Sequence, residues 1–362
     1  MPFAGTRPDG RRFVRFSFIH PQRKREIAMS DQAKIKVGVV GVGVLGRYHT
    51  KIYSESPNAE LVGVYDVNPK AAEAVAKEFG TKPFATIREL AEQCDALSVA
   101  VPATEHHAAA MELMEMNRHV LMEKPIAATV PEAEEMVRVA KERNLVFGVG
   151  HVERFNSAMD YLEKHHSKTL FIEAHRLAKY PPPRPGMHRR GTEVSVVLDL
   201  MIHDLDLVLT MVGAPVERVD AVGIPVLSKT EDIANVRIKF TNGAVANVTA
   251  SRVSSDPMRK FRVFQTDSYI SMDYANHTGK IYRRGLIGVS KKQVDLCEKN
   301  ALAAELENFI ACVAETKANG GTVVNPRVSG QDGLNALALA VRITDEISAY
   351  NNKYGLYNLR KL

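Results

Sequence analysis

The stretch that most limits what this chain can fold into is Gly41-Val42-Gly43-Val44-Leu45-Gly46, which follows the apolar run Ile35 to Val40 and opens a helical pattern. Asp66 lies twenty residues beyond it, at the end of the next apolar run. A strand, a glycine turn, a helix and an acidic residue ending the second strand together read as a dinucleotide-binding βαβ unit. Gly41 permits the tight turn, Gly43 lets main chain approach a pyrophosphate, and Gly46 lets the helix pack closely on the strand. The phosphates then face the free N–H groups of the helix start, where Val44 and Leu45 lie. Asp66 accepts hydrogen bonds from ribose hydroxyls and repels a 2′-phosphate, so NAD is expected over NADP. The competing reading is a purely structural strand-to-helix turn, with Asp66 capping the next helix.

The rest of the first half repeats this rhythm. Apolar runs at 35–40, 61–66, 96–101, 119–122 and 145–149 alternate with helical patterns at 46–55, 69–79, 86–93, 105–117 and 130–143. Such continuous apolar strands suit a doubly wound parallel sheet buried on both faces. After Gly150 the texture changes to a helix at 154–166, a strand at 169–177 and a Pro/Arg loop from Pro181 to Arg190. A helix follows at 194–212, then six strand patterns at 217–226, 232–240, 244–253, 259–266, 268–274 and 278–283. Their short connections, among them the turn Thr241-Asn242-Gly243, imply a large, mostly antiparallel sheet. Helical patterns return at 301–317 and 328–349. The expected fold is α/β, with four segments: a basic extension (1–33), a nucleotide-binding domain (34–152), an α+β substrate and oligomerisation domain (153–327), and a last helix (328–362) packing back on the first domain.

Composition narrows the functional classes. A net charge of +6 invites a nucleic-acid reading, but residues 1–28 hold seven basic side chains against Asp9 and Glu26, and the remaining 334 residues carry +1. A nearly neutral body has little electrostatic reason to bind a polyanion. No apolar stretch approaches the roughly 20 residues needed to span a bilayer, so no membrane partner is expected. The Arg-rich leader has the composition of a transit peptide, although Met29-Ser30-Asp31 resembles a natural start and makes residues 1–28 an upstream-start extension. Cys94, Cys297 and Cys312 are far apart and odd in number, which fits reduced thiols in a cytoplasm.

The candidate chemistry gathers at the ends of the predicted strands. Val101-Pro102-Ala103-Thr104 closes one, with His106 and His107 in the following helix, either cofactor-facing or ordinary first-turn residues. Glu123-Lys124-Pro125 closes another, aiming Lys124 toward the nicotinamide region, unless it is simply a surface lysine before a turn. Asp199 and His203 are four apart on a helical pattern and so share one face. A carboxylate and an imidazole facing a lysine can hold a secondary alcohol and remove its proton. A metal pair and a buried structural pair are the alternatives, and the metal lacks further assignable ligands. The imidazole is the easier base at neutral pH, with a reference value of about 6.5 against about 10.4 for lysine.

Together, Gly-x-Gly-x-x-Gly, Pro-x-x-x-His, Glu-Lys-Pro and Asp-x-x-x-His at these separations resemble the Gfo/Idh/MocA oxidoreductases over residues 34 to 350. The resemblance implies an N-terminal Rossmann domain, a C-terminal domain whose open sheet mediates a homodimer or homotetramer, and a bound NAD(P). It also implies that Lys124, Asp199 and His203 are the catalytic residues. Gly150-His151-Val152-Glu153-Arg154-Phe155-Asn156 and the segment Gly191 to Asp204 look most like the branch oxidising the 3-hydroxyl of UDP-N-acetylglucosamine. In that branch a partner aminotransferase converts the ketone to an amine for lipid A-type glycolipids. Arg184, Arg189 and Arg190 then become candidates for a diphosphate, with Arg154 and Asn156 as further substrate contacts. A solvated basic loop is the plainer alternative. Inositol or another free polyol, a glycosidase using transient 3-oxidation, and a non-catalytic dinucleotide sensor also remain open.

Overall fold

The computed structural model describes residues 33–183, 191–285, 288–296 and 299–357. The Rossmann half runs β1 (Ile35–Val40), α1 (Val44–Glu55), β2 (Ala59–Tyr65), α2 (Pro69–Phe79), β3 (Lys82–Pro83), α3 (Ile87–Glu92), β4 (Ala96–Val99), α4 (His106–Glu115), β5 (His119–Glu123), α5 (Val130–Glu142) and β6 (Phe147–Gly150). Its six strands are all parallel in the order β3-β2-β1-β4-β5-β6. The order reverses between β1 and β4, so their C-terminal ends open a crevice where ligands of such sheets bind. Val37, Val39, Leu97, Val99, Val120 and Met122 are buried, as a sheet covered on both faces requires. Local sequence sets the helix ends. Asn68 caps α2, with Pro69 in its first turn and Gly80 left-handed after it, while Thr129 and Glu132 form a capping box on α5.

The second half runs α6 (Ser157–Lys164), β7 (Thr169–Leu177), a π-helical turn at Val197–Met201, α7 (Ile202–Val212), then β8 (Val216–Ile224), β9 (Ile233–Phe240), β10 (Val245–Ser251), β11 (Met258–Gln265), β12 (Ser268–Asp273), β13 (Thr278–Arg284) and β14 (Val289–Asp295). These eight strands are ordered β14-β13-β12-β11-β7-β10-β9-β8, antiparallel except where β10 pairs with β7. One face packs against α7 through alternate residues such as Val236, Ile238, Ala246 and Val248. The other carries a row of rings, Phe171, Phe264, Tyr269 and Tyr282, with neighbouring centroids 4.4 to 5.5 Å apart.

Several local expectations need correction. The helix expected at 154–166 is a 3-10 turn, Val152–Phe155, followed by α6, because the Asn156 side chain caps a new start at Ala158 N–H. The helix expected from 194 begins as the π-turn. Strands β3 and β14 have no counterpart in the apolar pattern, since β3 is two residues and β14 is an edge strand containing Lys291, Lys292 and Gln293. The two last helices, α8 (Ala301–Ala318) and α9 (Gly330–Lys353), also distribute differently. Through Leu306, Phe309, Ile310 and Val313, α8 joins the Rossmann core, although its position in the chain groups it with the second domain. α9 joins both halves: Leu337 and Leu334 face the Rossmann core, while Leu339, Ile343 and Ile347 face the core of the large sheet. No helix among the described residues is long and apolar enough to cross a membrane.

Candidate active site

The cofactor side is built from main chain. Gly41 sits at a φ of 83°, and a Cβ there would meet Val101 and Ala100 at 2.8–2.9 Å. A Cβ on Gly46 would run into the Gly41 carbonyl. A Cβ on Gly43 would meet nothing within 4 Å, so this glycine faces open space. α1 starts at Gly43 with no side-chain cap, leaving the N–H groups of Val44 and Leu45 available. That cradle fits a pyrophosphate. Asp66 ends β2 with Oδ2 accepting from Val42 N–H at 2.8 Å and Oδ1 from Asn68 N–H at 2.9 Å. Each oxygen keeps a lone pair for a ribose hydroxyl. Pro102 lies exposed just beyond β4, at the same sheet edge.

His106 and Glu123, both expected at the cofactor, also have partners within the protein. His106 is buried, its Nδ1 2.8 Å from the Pro125 carbonyl and its Nε2 3.0 Å from the Val101 carbonyl, so its ring braces two loops from behind. Burial holds it below the usual histidine range. Glu123 is also buried, with His49 of α1 3.1 Å from Oε1 and the Lys124 N–H donating to Oε2 at 3.2 Å. Burial pushes this carboxyl up, but His49 and Lys124 outweigh it and hold it low. Glu123 thereby ties the cofactor helix to the turn carrying Lys124, whose bond to Pro125 is cis.

The chemical side is built from side chains. Lys124 Nζ donates to the Asp199 main-chain carbonyl at 2.8 Å and approaches its carboxylate at 3.4 Å. The lysine of the Rossmann edge and the aspartate of the π-turn, 75 positions apart, are thus brought together. Gly191, at a φ of 78°, lies under that carboxylate, where a Cβ would collide with it. The fully buried Arg252 holds the segment in place by donating to the carbonyls of Gly191 and Val194 and to Asp232. His203 follows in α7, its Nδ1 buried without a hydrogen-bond partner in the protein. Burial first, then the charge of Lys124 and of Arg176, hold its imidazole well below the ordinary histidine value. His203 is therefore neutral near pH 7, as a proton acceptor must be. The ring of His151 stands edge-on to it with centroids 6.1 Å apart.

Around this centre lies an ion-pair frame. Arg176 grips Asp204 at 2.7 and 3.1 Å and Glu153 at 2.8 Å, all buried. Arg154 grips Asp206 at 2.7 and 2.9 Å. Arg154 and Asn156, expected to touch substrate, are thus engaged by the protein itself, one in a buried pair and the other as a helix cap. Arg184, Arg189 and Arg190 lie outside the described residues. His151, Gly191, Arg176 and Arg252 were not singled out from sequence as site residues. Only the left-handed glycine has a sequence signal that could have marked it.

A dinucleotide cradle, a lysine, an aspartate and a neutral histidine at the end of a parallel sheet define an NAD-binding oxidoreductase. The comparisons agree. Residues 35–151 match the model of the oxidoreductase family with an NAD-binding Rossmann fold, and 167–271 match the GFO/IDH/MocA C-terminal domain. UDP-N-acetylglucosamine 3-dehydrogenase of Acidithiobacillus ferrooxidans is 37% identical over 319 residues, covering 86% of this chain and 97% of that protein. Its solved structure superposes with a TM-score of 0.80 at 36% identity, covering 88% and 99% of the two chains. Myo-inositol 2-dehydrogenase of Thermotoga maritima is 24% identical over 321 residues, covering 84% and 94%. This chain belongs to the Gfo/Idh/MocA family and is an NAD-dependent oxidoreductase.

Proposed function

We propose that the protein oxidises the 3-hydroxyl of UDP-N-acetylglucosamine to the 3-keto sugar, a step that prepares the sugar for amination in glycolipid synthesis. The observation that carries this reading is the Lys124–Asp199 contact beside a neutral His203, in a chain 37% identical to a UDP-N-acetylglucosamine 3-dehydrogenase over 86% of its length. The glycine turn, the start of α1 and Asp66 would hold NAD, which when bound supplies the hydride acceptor. Lys124 stabilises negative charge developing on the substrate oxygen with its ammonium, aimed by Asp199. His203 takes the hydroxyl proton, and its buried surroundings keep it free to do so. Glu123 and His49 fix the turn from which Lys124 reaches out.

The ring-bearing face of the large sheet supports a homo-oligomer formed through that sheet, and the reduced-thiol reading of the dispersed cysteines supports a cytoplasmic enzyme. The substrate reading is tested by a panel of UDP-sugars and free polyols assayed for NADH accumulation. UDP-N-acetylglucosamine should be oxidised and NADH should build up during turnover. Activity on inositol or a free aldose with silence on every nucleotide sugar overturns the substrate, and turnover without NADH accumulation points instead to transient oxidation in a glycosidase.

A further inference from the structure

Among the described residues, a cation beside the reaction centre is left uncommitted by its neighbours. On β11 the buried Phe261, Val263 and Gln265 face the helix-covered side of the large sheet, and Arg259 begins the same row. Its register partner on β7 is Arg176, so two arginines stand side by side at one end of paired strands. Their surroundings differ sharply. Arg176 is buried and makes three hydrogen bonds to Asp204 and Glu153. Arg259 has a side chain 57% exposed, and its one ionic approach is 3.9 Å to a Glu153 oxygen that Arg176 already holds at 2.8 Å. Among the described residues its guanidinium makes no hydrogen bond. Nevertheless its charge reaches the centre, for it is among those depressing His203, and it also acts on the adjacent Asp204.

The planar donors of a guanidinium match carboxylate and phosphate oxygens in pairs, so a loosely held one beside a site is equipped to meet an anionic ligand. Both nearby carboxylates are engaged by Arg176, which leaves the Arg259 donors for an incoming anion. We propose that Arg259 binds the diphosphate of the nucleotide-sugar substrate and so sets the preference for an anionic sugar over a free one. This inference rests on the substrate reading above and adds a residue to it. A free polyol would leave the arginine without a partner.

The test uses the full chain loaded with NADH, titrated calorimetrically with UDP, alongside steady-state oxidation of UDP-N-acetylglucosamine. Arg259→Gln should weaken UDP binding by about ten- to hundredfold, the range for losing hydrogen bonds to a charged group. It should raise KM to a similar extent with kcat nearly unchanged, since the diphosphate is held equally in ground and transition states. Arg259→Lys, which keeps the charge but not the paired donors, should fall between. Unchanged UDP affinity and KM in Arg259→Gln, with the nucleotide sugar still oxidised, overturns the role of Arg259 and leaves the substrate reading intact. Failure of the unaltered protein to oxidise any nucleotide sugar overturns both.

Discussion

On the cofactor side of the site, Gly41, Gly43 and Gly46 contribute main chain and empty space, and the first turn of α1 presents N–H groups with no side chain over them. On the chemical side, Lys124, Asp199 and His203 stand inside a frame of buried charges, Arg176 with Asp204 and Glu153, and Arg154 with Asp206. The first construction needs one tight turn and works through local geometry. The second needs residues from 123 to 206 to converge, and it works by setting charge. A neutral imidazole among cations is its product, because burial and the neighbouring lysine and arginine all disfavour a second positive charge there.

Three substitutions would break or sharpen this contrast. The largest effect belongs to Lys124→Met, which should cut turnover by about 10²–10⁴-fold while NAD affinity, supplied by the glycine side, stays within a few-fold. Removing the ammonium also lifts a burden from His203, so its value should rise toward the ordinary histidine range. The residual activity should then fade at a higher pH on the acid side than in the unaltered enzyme, because the base is lost as pH drops through its own value. Equal acid limbs in the two proteins would show that Lys124 does not set the state of His203. Next comes Arg154→Ala. It strands the buried Asp206 and should lower unfolding stability by about 3–5 kcal/mol in a denaturant titration. A variant of normal stability with a raised KM for the sugar would instead make Arg154 a substrate contact. The smallest effect is expected for Asp66→Ser, which keeps the three glycines but removes a ribose acceptor, a repulsive charge and the carboxylate that accepts from Val42 N–H. The preference for NAD over NADP should erode by about tenfold, equivalent to 1.4 kcal/mol, and unchanged discrimination in a binding titration would assign ribose reading elsewhere.

What could be read from sequence follows the same division. The glycine turn was legible because left-handed and close-packed backbone positions admit almost nothing else, so the requirement is written in six consecutive letters. Lys124, Asp199 and His203 were legible as motifs, and the structure brings Lys124 to Asp199 as expected. Arg154 and Asn156 show the limit of motif reading, because a polar residue beside a motif looks the same in sequence whether it meets a ligand or a neighbouring side chain. Arg154 meets Asp206, 52 positions away, and no local pattern encodes that pairing. The place of α8 was hidden for a similar reason. An apolar helical stripe announces burial, but not which of two cores receives it.

The central claim is that this site removes hydrogen from C3 of a UDP-linked sugar. It is tested most directly by supplying UDP-N-acetylglucosamine deuterated at C3 to the enzyme with NAD⁺ and locating the label by mass spectrometry. The account predicts that the deuterium appears in NADH, one atom per keto sugar formed, and that a sample deuterated at C4 yields unlabelled NADH. Unlabelled NADH from the C3-deuterated sugar, or label arriving from C4, would contradict it.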